Sequence, residues 1–251
     1  MKLDEKIVLV TGASSGIGKE MALLFAKEGA RVVAVARRMN KLEELVNSSI
    51  EYKGIIIPFE GDVSKQEDID KLVDYTVKNL GKIDILINNA GNLDNFTPAH
   101  DLSDELWENI LNINLTAPMK LTRKVLPFMV ESGKGNIINV ASIGGLNGAR
   151  GGAAYTASKF GLVGLTKNIG FIYANKGIRC NVICPGGVDT EITSNQKPNA
   201  FGVERIMSGT GNNIRSGSPE EIANIALFLA SDESSLVNGA TIVADAGWTA
   251  Y

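Results

Sequence analysis

Ile7-Val-Leu-Val-Thr11-Gly-Ala-Ser-Ser-Gly-Ile-Gly18 is the stretch that decides the fold. An apolar run typical of a buried strand leads into three glycines, and a helical pattern follows. The apolar residues of that pattern fall on one helix face, at Ile17, Met21, Leu24 and Phe25. Glycine lets a backbone approach a diphosphate closely, and amides at a helix N-terminus hold its charge. Glycines alone would fit an ordinary turn, but strand, glycine turn and helix in this order predict a dinucleotide site.

Apolar runs typical of strands alternate with helical patterns along the rest of the chain. The strands are predicted at 7–11, 32–36, 55–59, 83–87, 136–141, 178–184 and 241–244, and the longest helices at 106–130 and 153–174. Gly29 suits a C-terminal cap for the first helix. Such alternation predicts a parallel sheet covered by helices on both faces. The 251 residues contain no linker, repeat or low-complexity tract. We therefore expect one α/β domain over residues 1–251, a Rossmann-type doubly wound sheet of about seven strands, with ligands beyond its carboxyl strand ends.

Tyr155 and Lys159 are the residues best suited to proton chemistry. Their four-residue spacing puts the phenol and the ammonium on one helix face. An adjacent cation stabilises a phenolate, so the pair predicts a Tyr155 pKa moved towards neutral pH and a role as general acid and base. Taken alone, the pair is more typical of an exposed amphipathic helix. The chain has one histidine, His100, in a polar loop, so such chemistry falls mainly to tyrosine, lysine or carboxylates.

Two further motifs follow strands and complete a pattern. Asn88-Asn-Ala-Gly91 comes directly after the apolar run at 83–87, and Ser142 follows Asn136-Ile-Ile-Asn-Val140. With these motifs the chain resembles the short-chain dehydrogenase/reductase family, in its common branch of about this length. The resemblance runs from Lys6 to the C-terminus. The motifs stand in the family's order: Thr11-Gly-x-x-x-Gly-x-Gly18, Asn88-Asn-Ala-Gly91, Asn114, Ser142, Tyr155-x-x-x-Lys159, Pro185-Gly186 and Thr190.

The resemblance implies hydride transfer between a nicotinamide cofactor and a ketone and secondary alcohol pair. Tyr155 would give its proton to the carbonyl oxygen, and the Ser142 hydroxyl would hydrogen-bond to that oxygen. Lys159 would lower the pKa of Tyr155 and hold the nicotinamide ribose. Asn114 matches the family residue that keeps a water in line with Lys159. Alone, Asn114 would fit equally well as an asparagine that bends or caps a helix.

The resemblance also implies a set of cofactor-binding residues, which form groups along the chain. They are Gly12, Ser14, Ser15, Gly16, Ile17 and Gly18 in the glycine loop, Asp62 and Val63 at the adenine, Asn89, Ala90 and Gly91 on the adenosine side, Tyr155 and Lys159 at the ribose, and Pro185, Gly186, Val188 and Thr190 at the nicotinamide. As an alternative, Asp62 could cap the helix that begins near Gln66, although Ser64 is better placed to do so.

Cofactor choice depends on the residues that end the second strand. NAD sites often carry an acid there, which accepts hydrogen bonds from the ribose, whereas an arginine accommodates the extra phosphate of NADP. This chain has Ala36, Arg37 and Arg38. A guanidinium can form a charge-assisted fork on phosphate. We therefore expect NADP(H), with NAD(H) as the alternative, because the arginines could decorate a solvated helix face and Ser15 stands where a subgroup of the family carries a second basic residue.

Composition excludes several other classes of function. The net charge is −3, without a basic stripe, so nothing favours nucleic acid or an anionic membrane. The sequence shows no apolar stretch long enough to span a bilayer and no signal peptide, and we expect a cytoplasmic protein. Cys180 and Cys184 lie on one face of a strand. A metal site would need more ligands, so we predict no metal and two buried or half-buried thiols.

The substrate is less well specified by the sequence. The glycine-rich run at 143–152 leaves room near Ser142, and the polar segment at about 187–218 is typical of a mobile loop that covers a substrate. Three arginines could meet an anionic substrate, although each is also typical of ordinary surface: Arg150, Arg205 and Arg215. A catalytically silent NADP sensor would share the glycine loop. It would have no need of Ser142, Tyr155 and Lys159 together.

Assembly into a homotetramer or homodimer is a further expectation from the resemblance. Relatives often associate through their two long helices and their C-terminal segment. Trp248 and Tyr251 support this expectation, since a free chain end rarely orders aromatic side chains. Solution scattering should give a mass of two or four chains, and a monomer mass would contradict the prediction.

Overall fold

The computed structural model describes residues 1–193, 197–208 and 213–250. Within these ranges one parallel sheet has the strand order β3-β2-β1-β4-β5-β6-β7. Its strands are β1 (Ile7–Thr11), β2 (Arg31–Ala36), β3 (Ile55–Glu60), β4 (Ile85–Asn88), β5 (Gly135–Val140), β6 (Ile178–Pro185) and β7 (Thr241–Ala244). The predicted seven-stranded, doubly wound α/β fold is confirmed.

Helices cover both faces of this sheet. The α-helices in the described residues are α1 (Gly16–Lys27), α2 (Met39–Asn47), α3 (Gln66–Leu80), α4 (Asp104–Leu111), α5 (Ala117–Ser132), α6 (Ala153–Ile172), α7 (Ala200–Met207) and α8 (Pro219–Ala230). Alternate residues of β1 show why two layers are needed. Val8 and Val10 pack in the core with Met21 and Phe25 of α1, whereas Leu9 packs in the opposite core, which contains residues of α3 and α5.

The order of the strands determines where a ligand can bind. From β1 the chain continues to β2 and β3 on one side, and from β4 it continues to β5, β6 and β7 on the other. β1 and β4 are hydrogen-bonded neighbours, so their following loops leave in opposite directions and open a crevice between them. The glycine loop follows β1, and Asn88-Asn-Ala-Gly91 lies at the end of β4, so both motifs meet at that crevice.

One predicted helix is interrupted. The sequence predicts a continuous helix at 106–130, but a π-helical segment, Asn112–Thr116, separates α4 from α5. Ser103 caps α4 by accepting a hydrogen bond from the Leu106 N–H at 3.2 Å. Gly133 ends α5 in the left-handed conformation, with φ of +66°. The hydrophobic pattern does not distinguish i+4 from i+5 hydrogen bonding over one turn, which is why the sequence predicts a uniform helix.

Two smaller differences also have local causes. β4 begins at Ile85, two residues later than predicted, and the Asp84 carboxylate just before it accepts a hydrogen bond from the Ile7 N–H at 2.8 Å. Helix α3 has Lys65 at its N-cap position without a side-chain hydrogen bond, so Ser64 is not the cap. The predicted cap at Gly29 agrees with the structure, since its φ is +91° and its N–H donates to the Ala26 carbonyl.

The two cysteines are buried free thiols on β6, as the sequence predicted. Burial raises the pKa of Cys180 to about 12 and that of Cys184 to about 11. Both therefore stay protonated at neutral pH and pack as small apolar groups. Separately, no helix in the described part of the chain is both long and apolar enough to cross a membrane.

Candidate active site

A cavity of about 880 Å³ opens at the carboxyl ends of the strands. Most of the residues predicted for the site line this cavity: Gly12, Ser14, Ser15, Gly16, Ile17, Arg37, Arg38, Asp62, Val63, Asn89, Ala90, Gly91, Ser142, Tyr155, Lys159, Pro185, Gly186, Val188 and Thr190. Gly18 and Asn114 are buried and do not line it. Residues scattered over most of the chain thus converge on one crevice.

The glycine loop has a conformation and a packing that require glycine. Gly12 and Gly16 have φ of +68° and +53°, a region that other residues rarely adopt. A Cβ on Gly12 would lie 2.9 Å from the Ala90 Cα, and a Cβ on Gly18 would collide with the Gly12 carbonyl oxygen. Ser15, the N-cap residue of α1, makes no side-chain capping hydrogen bond. The first turn of α1 therefore keeps backbone N–H groups available for a diphosphate.

Thr11 and Asn89 hold the glycine loop against the end of β4. The Thr11 hydroxyl accepts hydrogen bonds from the N–H groups of Asn89 and Ala90, at 3.0 and 3.1 Å. The Asn89 side-chain amide donates to the Thr11 carbonyl at 3.0 Å. This side chain is therefore engaged with the glycine loop, and it fixes the width of the crevice.

The two arginines after β2 differ in their surroundings. Arg38 donates to the hydroxyls of Ser14 and Ser15, at 3.0 and 3.2 Å, and forms an ion pair of 3.3 Å with Glu191. Arg37 is exposed beside the cavity. Both guanidinium groups thus border the end of the crevice where the sequence predicts the extra phosphate of NADP.

Asp62 is held as an ionised carboxylate. Burial alone would raise the pKa of Asp62. Hydrogen bonds from the Ser64 hydroxyl and N–H, at 2.7 and 2.9 Å, and the charge of Arg37 have the larger, opposite effect, so the pKa of Asp62 lies below its usual value. Asp62 binds Ser64 and does not cap α3. Its carboxylate is available at the cavity wall beside Val63.

Helix α6 brings Tyr155 and Lys159 to the cavity from its first two turns. Both side chains are buried, with 9% and 4% exposure. The Lys159 Nζ lies 5.6 Å from the centre of the Tyr155 ring and donates to the Val140 carbonyl at 3.0 Å. The alternative interpretation of Tyr155 and Lys159, as an exposed pair on an amphipathic helix, is therefore wrong. The pair lies inside the protein, facing the end of β5.

Burial changes the pKa values of both groups. It raises the pKa of Tyr155 to about 12, although a hydrogen bond with the Ser142 side chain acts in the opposite direction. It lowers the pKa of Lys159 to about 8. The sequence predicted a Tyr155 pKa moved towards neutral pH, whereas burial, which opposes the effect of an adjacent cation, is the largest influence and raises it. At neutral pH Tyr155 is protonated.

Asn114 lies in the π-helical segment behind the Tyr155 and Lys159 pair. Its side-chain amide donates to the Asn92 carbonyl at 2.9 Å and to the Ser158 hydroxyl at 3.1 Å. Its oxygen accepts from the Asn92 N–H at 2.8 Å. These contacts fix the backbone directly after Gly91. The side chain of Asn114 does not cap a helix, since all three contacts reach other parts of the chain, whereas its place in the π-helical segment agrees with the alternative of an asparagine where the helix is distorted.

Sequence reasoning missed Asp94, a carboxylate with 1% exposure. It accepts hydrogen bonds from the N–H groups of Gly152 and Tyr155, at 3.0 and 2.8 Å, at the start of α6. A signal was available in the sequence: Gly152 is the N-cap position, and glycine has no side chain with which to satisfy the first turn. The acceptor had to come from elsewhere in the chain.

Arg150 and Trp248 border the other end of the cavity. The Arg150 guanidinium carbon lies 4.4 Å from the centre of the Trp248 ring. Trp248 therefore has a partner in its own chain, and its order at the chain end needs no neighbouring subunit. Tyr251, which also supported the predicted assembly, lies outside the described residues.

The loop predicted at about 187–218 lies partly beside this end. Val188, Ile206 and Met207 line the cavity. Phe201 is exposed and packs against His100, with ring centres 5.3 Å apart. Arg205 and Arg215 bind Ser208 and Glu221, respectively. Residues 194–196 and 209–212 of this loop are outside the described ranges.

Comparison with known proteins identifies the class. The family model of the short chain dehydrogenases matches residues 6–200. The chain is 43% identical to a 3beta-hydroxysteroid dehydrogenase 2 of Eggerthella lenta, over 97% of this chain and 94% of that one. It is 38% identical to a 3-oxoacyl-acyl-carrier-protein reductase of Thermotoga maritima, over 98% and 99%.

A solved structure gives the same assignment. A candidate NAD(P)-dependent gluconate 5-dehydrogenase of Beutenbergia cavernae, with NADP bound at low occupancy, superposes with a TM-score of 0.89 at 32% identity, covering 100% of this chain and 99% of that chain. The chain belongs to the short-chain dehydrogenase family. It is an oxidoreductase that acts on CH–OH groups.

Proposed function

We propose that this protein interconverts a ketone and a secondary alcohol with NADP(H), using Tyr155 as the general acid and base. The observation that carries the proposal is the convergence of Ser142, Tyr155 and Lys159 in the cavity that also contains the glycine loop. A purely structural role for a buried lysine and tyrosine would not require a cavity of about 880 Å³ beside them.

The residues present fit a dinucleotide. The glycine loop leaves a cradle that a Cβ at Gly12 would fill, and the uncapped start of α1 offers N–H donors to a diphosphate. Asp62 and Val63 would bind the adenine end, Lys159 the ribose next to the nicotinamide, and Pro185 to Thr190 the nicotinamide itself. When bound, NADP(H) supplies the hydride.

The chain's own residues supply the proton and stabilise the developing charge. In reduction, negative charge grows on the carbonyl oxygen, and Tyr155, protonated at neutral pH, donates its proton to that oxygen. Ser142, hydrogen-bonded to Tyr155, donates to the same oxygen. Lys159 is a buried cation beside the phenol and stabilises the phenolate left behind. Asn114 fixes the backbone after Gly91 and would keep a water in line with Lys159, from which Tyr155 regains its proton.

Replacement of the arginines tests the cofactor. Arg37→Ala should weaken NADPH binding relative to NADH by about 1.5–3 kcal/mol, the value of a hydrogen bond to a charged group. Arg38→Ala should show the same preference and also weaken NADH, because Arg38 ties Ser14 and Ser15 together. Fluorescence titration of each variant with both cofactors measures these affinities.

Arg31→Ala is the matched control, since Arg31 begins β2 at the end of the strand away from the cavity. It should leave both affinities unchanged. Equal losses of NADPH and NADH affinity in Arg37→Ala would contradict a role of Arg37 in binding the extra phosphate. Tighter binding of NADH than of NADPH by the wild type would show that the preferred cofactor is NAD(H).

The substrate we propose is a bulky apolar ketone such as a 3-oxosteroid. Beside its polar groups, the cavity that contains Tyr155 has a set of apolar and aromatic lining residues: Leu93, Phe96, Ile143, Val188, Ile206, Met207 and Trp248. The relative at 43% identity is named as a hydroxysteroid dehydrogenase. Apolar walls with a few polar groups suit a rigid ring system better than a hydrated sugar.

Initial rates test the activity and the substrate together. NADPH and NADH oxidation should be followed with 3-oxosteroids, an acetoacetyl thioester, keto sugars and simple diketones. We expect the highest kcat/KM with NADPH and a 3-oxosteroid. A higher value with the thioester or a keto sugar would overturn the substrate class alone. Tight cofactor binding without turnover of any carbonyl compound would favour the silent sensor.

A further inference from the structure

The Asp94 carboxylate is placed where α6 begins, but it belongs to the loop after β4. One oxygen accepts from the Gly152 N–H and the other from the Tyr155 N–H. A Cβ at Gly152 would lie 2.5 Å from each of these oxygens, so the glycine leaves the space that the carboxylate fills. The residue that carries the phenol is thus hydrogen-bonded through its backbone to a buried charge from another part of the chain.

The loop that carries Asp94 is fixed on both sides. Thr97 extends the contact with α6, because its carbonyl accepts from the Ala153 N–H at 2.9 Å. The intervening Asn95 and Phe96 have φ of +55° and +57°, which is costly for residues other than glycine and persists only where the surroundings impose it. The Asn95 carbonyl accepts from the Asn199 N–H at 2.8 Å, at the N-cap of α7.

These contacts connect the wall of the cavity with the acid. Leu93 and Phe96 line the cavity on either side of Asp94, and Ile206 of α7 lines it from the loop at 187–218. We propose that Asp94 is a positioning residue for the reaction proposed above, which holds Tyr155 at the cavity and joins the substrate-facing loop at 92–97 to α6. The inference rests on the proposed role of Tyr155.

The charge of Asp94 also acts on the phenol. After burial, which is the main cause of the raised pKa of Tyr155, the negative charge of Asp94 adds to the increase, as does that of Cys184 once its thiol ionises. The ammonium of Lys159 also lies close to the phenol ring, 5.6 Å from its centre. A neutral residue at position 94 should therefore lower the pKa of Tyr155, because a like charge near the phenolate has been removed.

Asp94→Asn tests both effects of Asp94, the positioning of Tyr155 through its backbone and the increase in the Tyr155 pKa. Its amide oxygen can accept one N–H, but its NH₂ group faces the second, so Tyr155 loses its fixed position. We expect kcat for ketone reduction to fall by about 10-fold or more, since small displacements of a reacting group are costly. Reduction needs a protonated Tyr155, so the alkaline limit that Tyr155 sets in the pH profile should move to lower pH. NADPH affinity should remain nearly unchanged.

The control variants distinguish a failure of this inference from a failure of the proposed function on which it rests. Asp84→Asn removes another carboxylate that accepts a backbone N–H, just before β4 at the amino ends of the strands and away from the cavity, and should change neither kcat nor the pH profile. An equal loss of kcat at every pH in Asp94→Asn, or no loss, would overturn the inference while Tyr155→Phe remained inactive. An active Tyr155→Phe would overturn the proposed function itself. Should the Asn variant fail to fold, Asp94→Ser supplies a smaller, neutral acceptor with the same expected shift of the pH limit.

Discussion

Replacing Tyr155 with phenylalanine should lower kcat for ketone reduction by about 10²–10⁴-fold, the contribution of a positioned general acid. Only the hydroxyl is lost, and the ring that fills the wall of the cavity stays. NADPH affinity should therefore remain close to that of the wild type. Stopped-flow measurement of NADPH oxidation gives the rate, and fluorescence titration gives the affinity.

Tyr173→Phe is the control for this substitution. Tyr173 directly follows α6, so the control removes a tyrosine hydroxyl from the same helix at the end far from the cavity. We expect wild-type rates from it. If Tyr155→Phe kept its activity, the proton would have to come from another group, and the mechanism proposed for Ser142, Tyr155 and Lys159 would be wrong.

Gly18→Ala should lower kcat/KM for NADPH by about 100-fold or more, since displacement of a bound group by about 1 Å can cost that much. The added Cβ would collide with the Gly12 carbonyl oxygen and the Asn89 side-chain amide. The Gly12 carbonyl oxygen belongs to the backbone of the glycine loop, which cannot give way as a side chain can, so the loop itself must move. Overpacking of this kind typically costs about 1–3 kcal/mol of stability, which thermal unfolding would measure.

Gly164→Ala is the corresponding control in a helix. A Cβ at Gly164 would meet nothing within 4 Å, and Gly164 lies inside α6. Alanine is the better helix former by about 1 kcal/mol, so this variant should be as stable as the wild type or more so. Normal NADPH kinetics in Gly18→Ala would show that the close contact between α1 and the glycine loop is not needed for cofactor use.

The sequence predicts the sheet well because its information is local. Strands β1 and β7 have the predicted bounds, since each is a short apolar run that is followed directly by residues typical of turns. The π-helical segment is different. Asn114 is held there by Asn92 and Ser158, which are distant in sequence, so no periodicity within 106–130 could indicate it.

The candidate site likewise combines features that local sequence predicts with features that depend on tertiary contacts. Four-residue spacing placed Tyr155 and Lys159 on one face of α6, but their burial depends on how α6 packs against β6 and the turn at 143–145. Without that packing the sign of the Tyr155 pKa shift could not be predicted, since an adjacent cation and burial act in opposite directions. The N–H groups that bind Asp94 are likewise a tertiary contact, between residues about sixty positions apart.

The ion pair between Arg38 and Glu191 joins the two flanks of the cavity mouth. Arg38 follows the second strand and Glu191 follows the sixth, and both side chains are about half exposed. An exposed ion pair is worth about 0–1 kcal/mol, which is close to thermal energy at room temperature. The contact between the two flanks is therefore weak, and added salt weakens it further. Hydrogen bonding in the sheet holds the strands together, whereas at the cavity mouth this pair contributes little to holding the loop after β6 against the glycine-loop side.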